Sequence, residues 1–127
     1  MKITMSWFNF KKEWTKEEKI AVLKSICFII GADKKVVNAE WQLLISFFQK
    51  YGLDSTSAMD EQASMSQERM SSIIRQLSNK DKDLVLSYWK QAVSCDGNID
   101  PKEITVLVLM AKECGIHFTT LSLNPNV

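Results

Sequence analysis

Residues 15–53, TKEEKIAVLKSICFIIGADKKVVNAEWQLLISFFQKYGL, align without a gap and at one constant offset on residues 78–116, SNKDKDLVLSYWKQAVSCDGNIDPKEITVLVLMAKECGI. Identity is low, but the matched positions are those that begin, turn and end helices. They pair Thr15 with Ser78, Val22 with Val85, Asp33 with Asp96, Glu40 with Glu103 and Gly52 with Gly115. Such self-similarity predicts a duplicated structural unit.

Each copy of the repeat predicts a hairpin of two helices. Thr15 opens the first copy, and Glu18, three residues later, completes a capping box, so a helix should start there. Apolar residues cover more than one helical face in residues 20–30 and again in residues 84–93. This pattern predicts that both first helices are central and buried on most sides.

The second helix of each copy is predicted to carry an apolar stripe. In the second copy, Asp100 is a suitable N-cap and Pro101 a suitable first helical residue. Both second helices should end at glycines, Gly52 and Gly115, which tolerate a left-handed C-cap. The stripes are Trp41, Leu44, Ile45, Phe48 and Tyr51, and Ile104, Leu107, Val108 and Ala111. One shared core is expected from Ile26, Ile29, Leu44, Phe48, Trp89, Val93, Leu107 and Val108.

The predicted fold is an all-α, single-domain bundle of two pseudo-symmetric helix–acidic loop–helix hairpins. Residues 1–14 form an aromatic arm, residues 15–118 the helical domain, and residues 119–127 a tail. Residues 54–77 connect the two copies. Within them, a capping box at Ser64 predicts a short amphipathic helix, and residues 55–63 could add another turn.

Composition narrows the class of protein. The 127 residues carry a net charge of +1 with both signs dispersed, which argues against nucleic-acid binding. The three cysteines lack a CxxC spacing and lie in apolar stretches, as buried reduced thiols of a cytosolic protein do. No signal-peptide h-region and no apolar run of membrane-spanning length occurs in the sequence. A cytoplasmic location is therefore expected.

The acidic loops that join the two helices of each hairpin, called the junctions below, resemble the signature of a known protein family. Residues 32–40, ADKKVVNAE, and residues 95–103, CDGNIDPKE, resemble the A-D-G-x-I-x-x-x-E signature of the TerB-like family, the tellurite-resistance protein B fold. The resemblance spans about residues 15–117. It implies an all-helical duplicated hairpin, a link to bacterial stress response and tellurite resistance, and binding of divalent metal by acidic residues. Lys34 replaces the glycine in the first copy, and Cys95 replaces the alanine in the second.

The second acidic loop is the better candidate metal site. Asp96, Asn98, Asp100 and Glu103 gather the oxygen ligands that Ca²⁺ or Mg²⁺ prefers. In the first loop, Asp33 and Glu40 are less suitable because two lysines follow Asp33. The alternative interpretation is structural: the aspartates and glutamates cap helices and Ile99 enters the core. Under this interpretation no cofactor is required.

No residue pattern indicates catalysis. The single histidine, His117, has no ligand or partner at a suitable spacing, and Cys27, Cys95 and Cys114 lack a local base. The arm carries four large aromatic residues beside lysines. It is expected to fold back over the hairpins, or alternatively to bind a partner, including a second copy of the chain; a membrane surface is the less favoured ligand.

The predicted function is that of a binding or scaffolding protein with an unknown protein partner. The alternatives are a divalent-cation-binding protein and an accessory domain for a separately encoded enzyme.

Overall fold

The computed structural model of the chain describes residues 13–33, 38–94 and 99–117, which form one compact helical bundle. Its elements are α1 (Lys16–Ile30), a 3-10 turn (Gly31–Asp33), α2 (Asn38–Tyr51), α3 (Ser55–Ser64), α4 (Gln67–Arg75), α5 (Asn79–Ser94) and α6 (Pro101–Cys114). No strand occurs in these ranges, so the all-α prediction is confirmed. None of the six α-helices is long and apolar enough to cross a membrane.

Helix α1 is the centre of the bundle. Every residue from 20 to 26 is buried, and α1 contacts each of the other five α-helices. Helix α5 behaves differently, because it buries only the single face formed by Val85, Tyr88, Trp89, Ala92 and Val93. The prediction of burial on most sides is thus correct for α1 and wrong for α5, in which polar residues separate the apolar ones.

The two second helices bury equivalent residues. Leu44, Phe47 and Phe48 face the core from α2, and their repeat counterparts Leu107, Met110 and Ala111 face it from α6. Seven of the eight predicted core residues are buried, but Val108 is 41% exposed, as are Trp41 and Ile45 to a similar extent. The apolar residues of these helices span a wider arc than the core covers. The face that is buried is therefore shifted by about one residue around each helix from the predicted stripe.

The connector contains two helices where the sequence predicts one short helix and a further turn. The first, α3, is capped by Asp54, whose Oδ2 accepts a hydrogen bond from the Ser57 amide at 3.0 Å. The second, α4, is capped by Ser66, whose hydroxyl accepts from the Arg69 amide at 3.0 Å. The predicted cap at Ser64 is wrong, because Ser64 is the last residue of α3.

The predicted helix ends in the repeats match the structure. The Thr15 hydroxyl accepts from the Glu18 amide at 3.1 Å, and the Glu18 carboxylate accepts from the Thr15 amide at 2.8 Å. Gly52 and Gly115 both adopt left-handed conformations, with φ of 66° and 68°. A side chain at either glycine would strain the backbone.

Three basic side chains close the carboxyl ends of helices distant in sequence. The Lys19 ammonium donates to the Tyr51 carbonyl of α2 at 3.0 Å, and that of the buried Lys24 donates to the Gln62 carbonyl of α3 at 2.9 Å. The Arg75 guanidinium donates twice to the Glu113 carbonyl of α6, at 3.1 and 2.7 Å. Each cation donates to a carbonyl in the last turn of a helix, at the negative end of the helix dipole.

One polar pair lies inside the core. The Trp89 indole N–H donates to the Ser25 hydroxyl at 2.8 Å, and that hydroxyl donates to the Val22 carbonyl at 2.6 Å. Trp89 and Ser25 are both fully buried, so α1 and α5 are joined by a hydrogen bond that water cannot replace.

Candidate functional site

The acidic hairpin junctions are only partly within the described residues. Asp96 and Asn98 lie outside them, and Asp33 is described in its backbone alone, as the last residue of the 3-10 turn. Asp100 is the N-cap of α6, where its Oδ1 accepts from the Lys102 amide at 2.7 Å. The capping role predicted for Asp100 is therefore observed. Ile99 is 42% exposed, so the prediction that it enters the core is wrong.

Two buried carboxylates occupy equivalent places in the junctions. Glu40 and Glu103 lie in the first turns of α2 and α6, and each is 3% exposed. Each makes a bond or electrostatic contact in the fold. The 3-10 turn that ends at Asp33 packs against α6, the helix that carries Glu103. Across residues 13–33, 38–94 and 99–117, no three histidine, cysteine, aspartate or glutamate side chains are grouped for a metal ion.

The described thiols and the histidine differ in environment. Burial raises the pKa of Cys27 to about 11, and it raises the pKa of Cys114 to about 11 as well. Both therefore stay protonated near neutrality and are poor nucleophiles. His117 is exposed at the end of the described chain. Cys95 lies outside the described residues.

An aromatic cluster lies between the two repeats. The Tyr51 ring stacks on Trp14 with centroids 5.1 Å apart, and it contacts Phe47 at 4.6 Å. The hydroxyls of Tyr51 and Tyr88 are 2.8 Å apart and share a hydrogen bond. Desolvation, followed by this hydrogen bond, holds the pKa of Tyr51 well above its usual value. Trp14, assigned to the arm by sequence, is therefore a packed residue, while the arm's other aromatic residues fall outside the described ranges.

Beside this cluster lies an open depression that we call the aromatic groove, with walls formed by Trp14, Tyr51, Leu77 and Leu84. It has a volume of about 870 Å³, and its remaining lining residues are Glu13, Glu18, Gln76, Ser78, Lys80 and Asp81. Residues at the start of both repeats line the groove together. The pairs that align in the repeat are Glu13 with Gln76, Trp14 with Leu77 and Glu18 with Asp81. The groove thus lies where the beginnings of the two copies meet.

The Trp14 indole is an exception among the buried polar groups. Its Nε1 atom is buried and makes no hydrogen bond with any of the described residues. Leaving such a donor unpaired costs about 1–3 kcal/mol, and unpaired buried groups are rare in native folds. By contrast, the buried indole of Trp89 is fully paired. The buried indole donor in the wall of the groove therefore lacks the hydrogen bond that the indole donor in the core makes.

Sequence reasoning missed this groove, although the repeat contains a signal for it. Tyr51 aligns with Cys114, and Trp14 aligns with Leu77 just outside the aligned segments, so large aromatic residues in one copy correspond to smaller residues in the other. The aligned glycines, glutamates and core leucines are alike in both copies.

Comparisons with known proteins support the fold. No protein-family model matches the sequence, and no curated protein matches it either. The structure is similar to that of a protein of unknown function, PG1108 from Porphyromonas gingivalis W83, with a TM-score of 0.72 and 22% identity. The alignment covers 89% of this chain and 95% of that chain. At this identity the similarity shows a shared fold and nothing further.

Proposed function

We propose that this chain is a TerB-like helical binding or scaffolding protein of the bacterial cytoplasm, acting in tellurite resistance or a related stress response without catalytic chemistry of its own. Two features support the TerB-like assignment. The acidic signature occurs twice in a gapless repeat, and its final glutamates, Glu40 and Glu103, are buried at equivalent helix starts.

The aromatic groove is the observation that supports binding. It combines apolar and aromatic walls with a few polar groups, which is the usual character of a recognition site. Leu84 is 37% exposed at its edge, so apolar surface is available for contact. One copy alone supplies the aromatic residues Trp14 and Tyr51, because their counterparts in the other copy are Leu77 and Cys114.

Affinity capture from the native host with the intact chain tests this proposal. We expect Leu84→Asn to lose the protein that wild type captures, since it removes apolar contact at the groove. Leu109→Asn is the matched control, because Leu109 is an exposed helical leucine on α6 that does not line the groove. Capture that is unchanged by Leu84→Asn, or reduced equally by both substitutions, would contradict the proposal.

Divalent-cation binding is the second candidate function. It rests on the buried Glu40 and Glu103 and on the resemblance of the second junction, with Asp96, Asn98 and Asp100, to the TerB-like signature. Those side chains would supply hard oxygen ligands to Ca²⁺ or Mg²⁺. Calorimetric titration with Ca²⁺, Mg²⁺ and Zn²⁺ tests it, and the absence of a saturable heat would exclude it.

An accessory role for a separately encoded enzyme is a special case of partner binding. It predicts that the captured protein is an enzyme whose activity rises when the intact chain is added. Activity that does not depend on the chain would leave only the scaffolding role.

A further inference from the structure

The shape of the aromatic groove favours an extended ligand. The groove is partly open to solvent, and its lining residues lie at the first turns of α1 and α5 and beside the ends of α2 and α4. Enclosed pockets bury most of a small molecule, whereas an open groove exposes one side of its ligand. A polypeptide segment matches this shape, because alternate side chains can enter the groove while the others remain in water.

The charges along the groove are mainly negative. Among the described residues, Glu13, Glu18 and Asp81 line it, against one lining cation, Lys80. The other nearby ammonium groups are engaged with Tyr51: Lys19 bonds its carbonyl, and Lys50 lies 5.8 Å from the centre of its ring.

The carboxylates of the groove differ in how much of their negative charge is already offset by the fold. Glu18 and Asp81 lie in the first turns of α1 and α5, whose positive ends offset part of their charge. Glu13 precedes α1 and is exposed. Charge of this kind selects and orients a ligand, while apolar contact supplies most of the binding free energy.

The unpaired Trp14 indole gives a third, independent indication. Trp14 lines the groove, and its buried indole N–H has no acceptor among the described residues. A peptide backbone carries a carbonyl at every residue, so a bound segment can accept this bond once the indole turns toward it. An apolar small molecule would leave the donor unpaired.

From these observations we propose that the aromatic groove binds a segment of a partner protein in which an apolar side chain is flanked by lysine or arginine. The apolar side chain packs between Trp14 and Leu84, a backbone carbonyl accepts the Trp14 indole N–H, and the basic side chains face Glu13 and Asp81. This inference rests on the proposed binding function and specifies the chemistry of the partner.

Fluorescence anisotropy with two synthetic dodecapeptides tests the inference on the intact chain. One peptide alternates leucine and tryptophan with lysine, and the other has glutamate in place of every lysine. We expect wild type to bind the basic peptide about tenfold more tightly than the acidic one, equivalent to 1.4 kcal/mol. Leu84→Asn should weaken binding of the basic peptide, and Leu109→Asn should not.

A pair of isosteric substitutions that remove negative charge locates the preference. Glu13→Gln combined with Asp81→Asn should remove most of the preference for the basic peptide. The matched control combines Asp60→Asn with Glu68→Gln, which changes one exposed aspartate and one exposed glutamate away from the groove and should leave the preference intact. Trp14→Phe keeps an aromatic side chain but removes the N–H donor, and it should weaken binding.

Three outcomes would overturn the inference. Equal affinity for both peptides, or equal effects of the two double substitutions, would show that the groove does not select basic ligands. Tighter binding after replacement of Lys2, Lys11 and Lys12 by alanine would show that the chain's own first residues compete for the groove. If native capture still depends on Leu84 while either peptide result fails, the binding function stands and only the chemistry assigned to the partner is wrong.

Discussion

The hydrogen bond between Trp89 and Ser25 offers a sharp test of how the core is held together. The substitution Ser25→Ala removes the hydroxyl that accepts the fully buried Trp89 indole N–H at 2.8 Å. It also removes the hydroxyl's own bond to the Val22 carbonyl. That carbonyl lies within α1, so the indole donor is the group left without a partner.

The expected loss of stability follows from two opposing effects. An unpaired buried donor costs about 1–3 kcal/mol. Alanine is a better helix former than serine, by about 0.5 kcal/mol, which offsets a small part of that cost. The net change in the free energy of unfolding is then about 0.5–2.5 kcal/mol. With a urea dependence of about 2 kcal/mol per molar, the unfolding midpoint should fall by roughly 0.3–1.2 M.

Urea unfolding followed by far-ultraviolet circular dichroism measures this change without relying on tryptophan fluorescence. Ser46→Ala is the matched control, because Ser46 is an exposed helical serine whose hydroxyl donates to the Gln42 carbonyl at 2.9 Å. Its substitution removes a similar local bond but orphans no buried donor. We expect its free energy of unfolding to stay within about 0.5 kcal/mol of wild type or to rise slightly.

A double-mutant cycle with Trp89→Phe isolates the pair. Phenylalanine has no N–H, so Ser25→Ala should cost less in that background, with a coupling energy of about 1 kcal/mol. If Ser25→Ala costs the same in both backgrounds, the indole does not depend on this hydroxyl in the folded protein and the reasoning is refuted.

Three further predictions concern the core, the aromatic cluster and the acidic junction. Leu107→Ala should cost about 2–5 kcal/mol in urea unfolding, whereas Val108→Ala, at a half-exposed neighbour, should stay within about 0.5 kcal/mol; equal losses would contradict the core assignment. Burial raises the pKa of Tyr51, so the unfolded chain loses this proton first, and stability should fall as pH rises above about 10. Tyr51→Phe should make that fall smaller but should not abolish it, because the thiols still titrate in both proteins. Parallel curves of stability against pH for the two proteins would argue against a desolvated phenol. Asp100→Ala and Asp54→Ala each remove an N-cap and should lower stability by about 0.5–2 kcal/mol with or without chelator. A rise in Tm on adding Ca²⁺ or Mg²⁺ that only Asp100→Ala abolishes would instead identify a cation site.

The helices were predictable because their boundaries are encoded locally. The capping box at Thr15, the N-cap at Asp100 and the left-handed glycines at Gly52 and Gly115 all act within a few residues of themselves. Repetition of the same signals in both copies then determined which helices belong together.

The orientation of each helix was less predictable, because it depends on distant neighbours. Ile45 and Val108 are as apolar as Phe47 and Met110, and the core accepts the second pair while exposing the first. In α5, which has more polar residues than α1, only the face formed by Val85, Tyr88, Trp89, Ala92 and Val93 is buried.

The candidate site was predictable only in part. Asp100 could be assigned as a cap from its place before Pro101, and it is one. The aromatic groove could not be found by motif, because its walls combine residues 13–18, 51 and 76–84, which are brought together only by folding. The difference between the two copies at Tyr51 was the remaining signal.

The three basic side chains that hydrogen-bond the ends of distant helices connect parts of the chain that a fragment would separate. Their bonds join residues 32, 38 and 38 positions apart, so none can form within a fragment that contains one helix. Lys24 reaches from the first repeat into the connector, and Arg75 reaches from the connector into the second repeat.

The connector is therefore a structural link between the copies as well as a covalent one. Either hairpin produced alone would lose at least one of these long-range bonds, and the amides in the last turns of α3 and α6 should exchange with solvent only when the whole chain opens. The two copies should therefore unfold together, and neither half of the sequence should fold as a stable protein.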